Sequence, residues 1–173
     1  MKKAIVTIMA LLVAFATFSQ AVTSDKIYKH SGEVLEVKIL KISDLTIIYK
    51  IPNQELQENI TKLAVDHITF SNGVDQKISD KVIVSGKKDA DKVQVIEDKD
   101  QTDGLKKGAA IEGQTSAFNW RSADASGKKA LQKLKEQAAE ANAPFVFMTM
   151  DHDTQNAYGM GAKGLKKGFI YTY

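Results

Sequence analysis

Asp151, His152 and Asp153 stand in a row, with Asn156 and Tyr158 a few residues on. Carboxylates and imidazole bind divalent ions and activate water. Alternate residues of an extended chain point to opposite sides, so Asp151 and Asp153 share a face that His152 does not. That geometry predicts a polar loop leaving a strand rather than a metal centre, and no metal site is expected. Gly159-Met160-Gly161-Ala162-Lys163-Gly164 has the letters of a dinucleotide fingerprint. That motif needs a strand before it and a helix after it to hold the pyrophosphate. The short stretch beyond Gly164 reads as loop and strand, so a flexible loop is expected there and no cofactor.

Other catalytic material is sparse. The chain has no cysteine, which removes thiolate nucleophiles, disulfides and cysteine-ligated metals. No serine has a G-x-S-x-G setting. His30 and His67 are separated by several strands, and hydrogen-bonded or solvent-facing histidines are expected rather than a catalytic pair. Phe118, Trp120, Tyr158, Tyr171 and Tyr173 are aromatics of the C-terminal half that suit its sheet or its rim. On a rim they would stack on a peptide or a sugar, and against the helix stripe they would be core. The candidate binding residues are therefore Trp120, Asp151, His152, Asp153 and Tyr158, with no catalytic residue assigned.

The elements that must position these groups follow a leader. Lys2 and Lys3 precede a charge-free apolar run from Ala4 to Phe18, and Ser19-Gln20-Ala21 offers small residues where signal peptidase cuts. The run is shorter than the roughly 20 residues that span a bilayer. Residues 1–21 are read as a signal peptide cleaved after Ala21, with Ser24 as the alternative site, so a periplasmic or secreted location is expected. Cleavage reduces the 24 basic residues to 22 against 21 acidic ones. Such a balance gives no electrostatic reason to bind nucleic acid, and no transmembrane segment is expected in the remaining chain.

Residues 22–79 read as a small all-β domain, an antiparallel meander or partly closed barrel. Strands are expected at Asp25–Lys29, Glu33–Ile42, Leu45–Lys50, Ile60–Leu63, His67–Phe70 and Val74–Ile78, with turns at His30-Ser31-Gly32, Ser43-Asp44 and Ser71-Asn72-Gly73. The run from Asp25-x-Ile27-Tyr28 through Ser31-Gly32 and Leu45–Tyr49 to Ile68-x-Phe70-x-Asn72-Gly73 resembles a domain recurrent in exported proteins of Bacteroidetes-type bacteria. The resemblance implies fold and compartment and no activity. Residues 80–92 mix charges of both signs and are read as a solvated linker.

Residues 93–173 predict an α+β domain of β-β-α-β-β order with one main helix. Val93–Ile96 and Ala109–Thr115 are its first strands. Ala130, Leu131, Leu134, Ala138 and Ala141 form an apolar stripe at helical spacing, which Ser122 or Asp124 can cap and Asn142 and Pro144 terminate. Phe145–Met150 predicts a buried strand and Phe169–Tyr173 a final one. The helix–strand step from Lys129 to Val146 is similar to small bacterial envelope domains of the stress-sensor lipoprotein kind, although Asn142 stands where glycine is usual. That resemblance implies a periplasmic or surface binding domain and carries over no catalytic residue.

Together these readings predict an exported, non-enzymatic binding module whose partner is an envelope protein or cell-wall glycan. The alternatives are a small periplasmic hydrolase using the Asp151–Tyr158 loop and a self-assembling structural component. Oligomeric state is left open.

Overall fold

The computed structural model describes residues 24–115, 122–155 and 162–173. The expected leader, Phe118, Trp120, Asn156, Tyr158 and residues 159–161 of the glycine motif lie outside the described residues. Strand outweighs helix by 47% to 23%, with one main helix, so the chain is of the α+β class.

Strands β1 (Asp25–Lys29), β2 (Val34–Ile42), β3 (Thr46–Lys50), β4 (Gln57–Thr61), β5 (Val65–Thr69) and β6 (Asp75–Lys77) form one sheet. Its order is β4-β3-β2-β1-β5-β6 and every pairing is antiparallel. Period-two alternation puts Ile27, Val37, Ile47, Ile60 and Ile68 on one buried face, and an irregularity in the β1–β5 register adds Val65. In β2 the register slips between Ile39 and Lys41. This bulge leaves Leu40 exposed and returns Ile42 to the core side. At the β5–β6 turn Gly73 has φ 83°, where its amide reaches the Phe70 carbonyl (2.8 Å) and Asn72 Oδ1 accepts from Val74 N (3.0 Å). The stretch expected as a strand at Ile60–Leu63 stops at Thr61, whose hydroxyl accepts from Leu63 N and starts a 3₁₀ turn over Lys62–Ala64.

The second sheet has the order β7-β9-β10-β8, from β7 (Gln94–Ile96), β8 (Lys106–Gln114), β9 (Phe145–Gln155) and β10 (Ala162–Thr172). The β7–β9 pair is parallel and the others are antiparallel. Helix α1 (Ala123–Glu140) lies on one face. Ser122 Oγ accepts from Ala125 N (3.3 Å) at its start. At its end Asn142 takes φ 54°, with Asn142 N on the Ala139 carbonyl and Ala143 N on the Ala138 carbonyl (both 2.9 Å). This is a Schellman stop, with Asn142 in the left-handed position.

The helix sits unusually close to the strands. A Cβ on Gly113 would stand 1.9 Å from the Ala130 carbonyl oxygen, and one on Gly164 would stand 2.5 Å from that of Ser126. Bare backbone on β8 and β10 therefore receives the Ser126, Gly127 and Ala130 side of α1. Two side chains of α1 also reach around the outer edge of β8. Gln137 Nε2 donates to the Glu112 carbonyl (2.8 Å), its Oε1 accepts from Glu112 N (3.4 Å), and Lys133 Nζ donates to the Gln114 carbonyl (2.7 Å). Backbone groups that would template another strand are thereby occupied.

Residues 80–92 are not the solvated linker expected from their charges. Val84 and Ala90 are buried against Leu134 and Ala138 of α1, and Lys87 pairs with Glu136 (2.9 Å). Two apolar residues in a charged stretch are enough to seat a 3₁₀ turn on the helix while the charges stay in water. A further cluster of Ile96, Phe145 and Tyr171 gathers Leu63, Val82 and Leu105, which joins the two sheets.

Candidate functional site

The Asp151–Asp153 triplet is not in a loop: β9 continues through Gln155, so these residues are strand. The cause lies on β10, where Asp151 pairs with Lys166, His152 with Leu165 and Asp153 with Gly164. The expected alternation holds in this setting. Asp151 and Asp153 lie on the helix side and His152 on the other.

Lys166 lies between the two carboxylates with its side chain only 6% exposed. Its Nζ contacts Asp151 and stands 3.0 Å from Asp153 Oδ2. Burial pushes this ammonium below the ordinary lysine value. Gly127 makes the room, because a Cβ there would stand 2.0 Å from Asp153 Oδ2. The two aspartates thus act as counter-ions to a lysine that occupies the position a cation would need. Among the described residues no group of three or more His, Asp or Glu side chains gathers to hold a metal.

Sequence reasoning missed Lys166, though a signal was present. Ala162, Gly164, Lys166, Gly168 and Ile170 form the buried side of β10. A lysine in a stripe of small residues under a helix must carry its own acids. Gly164, expected in a flexible loop, serves the same seat, since it lies within the strand.

The opposite face of this sheet carries a different chemistry. Phe147 pairs with Phe169, Met150 with Lys167 and His152 with Leu165 across β9 and β10. The Lys107 ammonium stands 3.7 Å over the Phe169 ring, and Lys167 pairs with Glu112 (2.9 Å). Phe147 and Phe169 are half-buried where they pack against the cluster of Ile96, Phe145 and Tyr171, whereas Met150 remains 45% exposed. A shallow depression of about 560 Å³ borders Ala110, Glu112, Thr149, Lys167 and Phe169.

A second polar cluster forms where β1 and β5 meet. Asp66 accepts from His67 Nδ1 (2.7 Å) and from Lys77, while His30 Nδ1 stands 4.0 Å from its other oxygen. The hydrogen bonds from Lys77 and then His67 hold the Asp66 carboxyl down at about 2. The two histidines that looked unrelated in sequence thus flank one carboxylate. Ser79 Oγ lies 3.0 Å from His30 Nε2, which completes the group order of a serine nucleophile triad. Its proton, however, goes to the Val65 carbonyl (2.8 Å), so Ser79 accepts from the imidazole and is not activated by it.

Comparison with known protein families, curated proteins and solved structures finds no match to this chain. Among the described residues no helix is long and apolar enough to cross a membrane.

Proposed function

We propose that this is an exported bacterial envelope protein that works by binding, with the open face of the second sheet as its contact surface. The observation that carries the reading is the composition of that face. Apolar Met150 and Leu165 lie beside Phe147 and Phe169, rimmed by Lys107, Lys167 and His152. An amphipathic surface of aromatic and aliphatic groups with a cationic rim suits a polar polymer or an envelope protein. In this reading residues 1–21 are trimmed after Ala21, residues 22–79 form an all-β unit, and residues 93–173 form a β-β-α-β-β layer. The partner is an envelope protein or cell-wall glycan. The pairing of Asp151 and Asp153 with Lys166 supports this reading over the hydrolase alternative.

The test uses the chain from Val22 onward, labelled for NMR, titrated with purified cell-wall glycan fragments and then with solubilised envelope protein. Shifts concentrated at Leu165, Lys167 and Met150, abolished by Leu165→Glu with Lys167→Glu, are expected. Shifts confined to other surfaces, or none with either material, refute the proposal.

A further inference from the structure

The segment that follows β6 crosses the end of β1 and is tied to both sheets. Ser79 Oγ bonds the Val65 carbonyl and His30 Nε2, and Lys81 Nζ donates to the His30 carbonyl (2.8 Å). Val82 N donates to the Tyr173 hydroxyl (2.8 Å). The Tyr173 ring meets His30 edge-on at 5.0 Å and Phe145 at 5.3 Å, and Lys81 lies 5.4 Å from the same ring. Residues 79–82 therefore strap the end of β1 to the strands that carry Phe145 and Tyr173, with the His30 ring at the crossing.

The hydrogen bonds fix the state of that ring. Ser79 has one proton and gives it to Val65, so its oxygen must accept from His30 Nε2–H. The imidazole lone pair is then on Nδ1, which is where the next proton adds. Nδ1 looks at Asp66 from 4.0 Å, but Asp66 is already engaged by Lys77 and His67. The other charges facing the ring come from the strap, as Asp80 and Lys81, and Asp80 is fully in water.

We propose that residues 79–82 are a pH-operated latch, in which protonation of His30 at Nδ1 releases the strap from the end of β1 and loosens the joint between the two sheets. Burial is the main reason: the imidazolium is disfavoured in a site whose side chain is 3% exposed. Asp66 and Asp80 oppose that effect, while Lys77 and Lys81 reinforce it, and the balance lies below the ordinary value of 6.5. The sign follows. A group whose folded value is depressed by burial as a base keeps the closed form stable above 6.5, and this stability is lost as pH falls from 6.5 towards the folded value. Opening gives the ring to water, where it protonates freely, so the open fraction grows as pH falls through that window, by at most about tenfold for each pH unit.

The experiment is hydrogen exchange by mass spectrometry on the whole chain from pH 7.5 to 5.0, corrected for intrinsic exchange. Exchange of residues 79–82 that speeds up as pH falls below 6.5, by no more than about tenfold per unit, with β2 and β3 unchanged, is expected. His30→Gln should remove the pH response. If that variant does not fold, the Cε1–H resonance of His30 in the native chain decides, and it should titrate below 6.5. Flat strap exchange over the range, a response that survives in His30→Gln, or a ring titrating at or above 6.5 overturns the latch.

Discussion

Gly113→Ala tests the seating of α1 most directly. The added methyl would stand 1.9 Å from the Ala130 carbonyl oxygen and 2.8 Å from Leu134 N, where ordinary contact starts near 3.4 Å. Both neighbours are backbone, so no side chain can swing away. The helix must rise by about 1.5 Å, and gaps of half that size already forfeit a quarter to a half of each dispersion contact. On the sheet-facing side of α1, Ala130, Leu134 and Ala138 are all fully buried and lose their partners together. The cost should reach the upper end for overpacked cores, about 3 kcal/mol. Urea unfolding followed by far-ultraviolet circular dichroism should show a midpoint lowered by roughly 1–2 M. Gly32→Ala is the control, because nothing lies within 4 Å of its Cβ and only its φ of 93° is strained. That substitution should cost about 1–2 kcal/mol from the backbone alone. A Gly113→Ala variant no less stable than Gly32→Ala would show that the close approach of helix and sheet does not exist.

Lys166→Met should cost about 2–3 kcal/mol, less than a fully buried pair because Asp151 is half exposed, and adding Asp151→Asn and Asp153→Asn should restore most of it in thermal melts. Asp66→Asn should flatten the acid limb of stability. The native carboxyl, held at about 2 against an ordinary 3.8, contributes stability that is present above 3.8 and lost as pH falls towards 2, as urea midpoints across that range will show. Gln137→Ala with Lys133→Ala uncovers the edge of β8, so light scattering should detect concentration-dependent association that the native chain lacks at the same concentration.

The first sheet was largely legible where a strand has a wet and a dry side, as in β1, β2 and β3, whose alternation follows the pleat directly, and less so at β4 and β6, which do not alternate. Where the phase broke, at Leu40, a bulge was the reason. The helix was legible from its stripe and from Asn142, which supplies the left-handed stop that glycine usually supplies. The second sheet hid its extent. Asp151–Gln155 and Ala162–Gly168 look like loop, since their polar and small residues match no strand pattern until Lys166 and the underside of α1 are in place. The strap across β1 was equally hidden, because Ser79 and His30 are 49 residues apart and neither carries a local signal. Val84 and Ala90 were masked by the charges around them. What sequence periodicity reports is one element's own two sides; a residue chosen for a distant neighbour leaves no periodic trace.

The placement of β10 has a consequence for the order of assembly. It is the strand between β9 and β8, and among the described residues β8 pairs with β10 alone in the second sheet. The first sheet grows by hairpins of neighbouring strands, apart from the return of β5 to β1, so it can close early. The second has no such path: α1 packs on both β8 and β9, but those strands share no ladder until β10 inserts, and the parallel β7–β9 contact joins segments about fifty residues apart. Completion of the second sheet therefore depends on a single strand, without which β8 has no strand partner there and β9 keeps β7 alone.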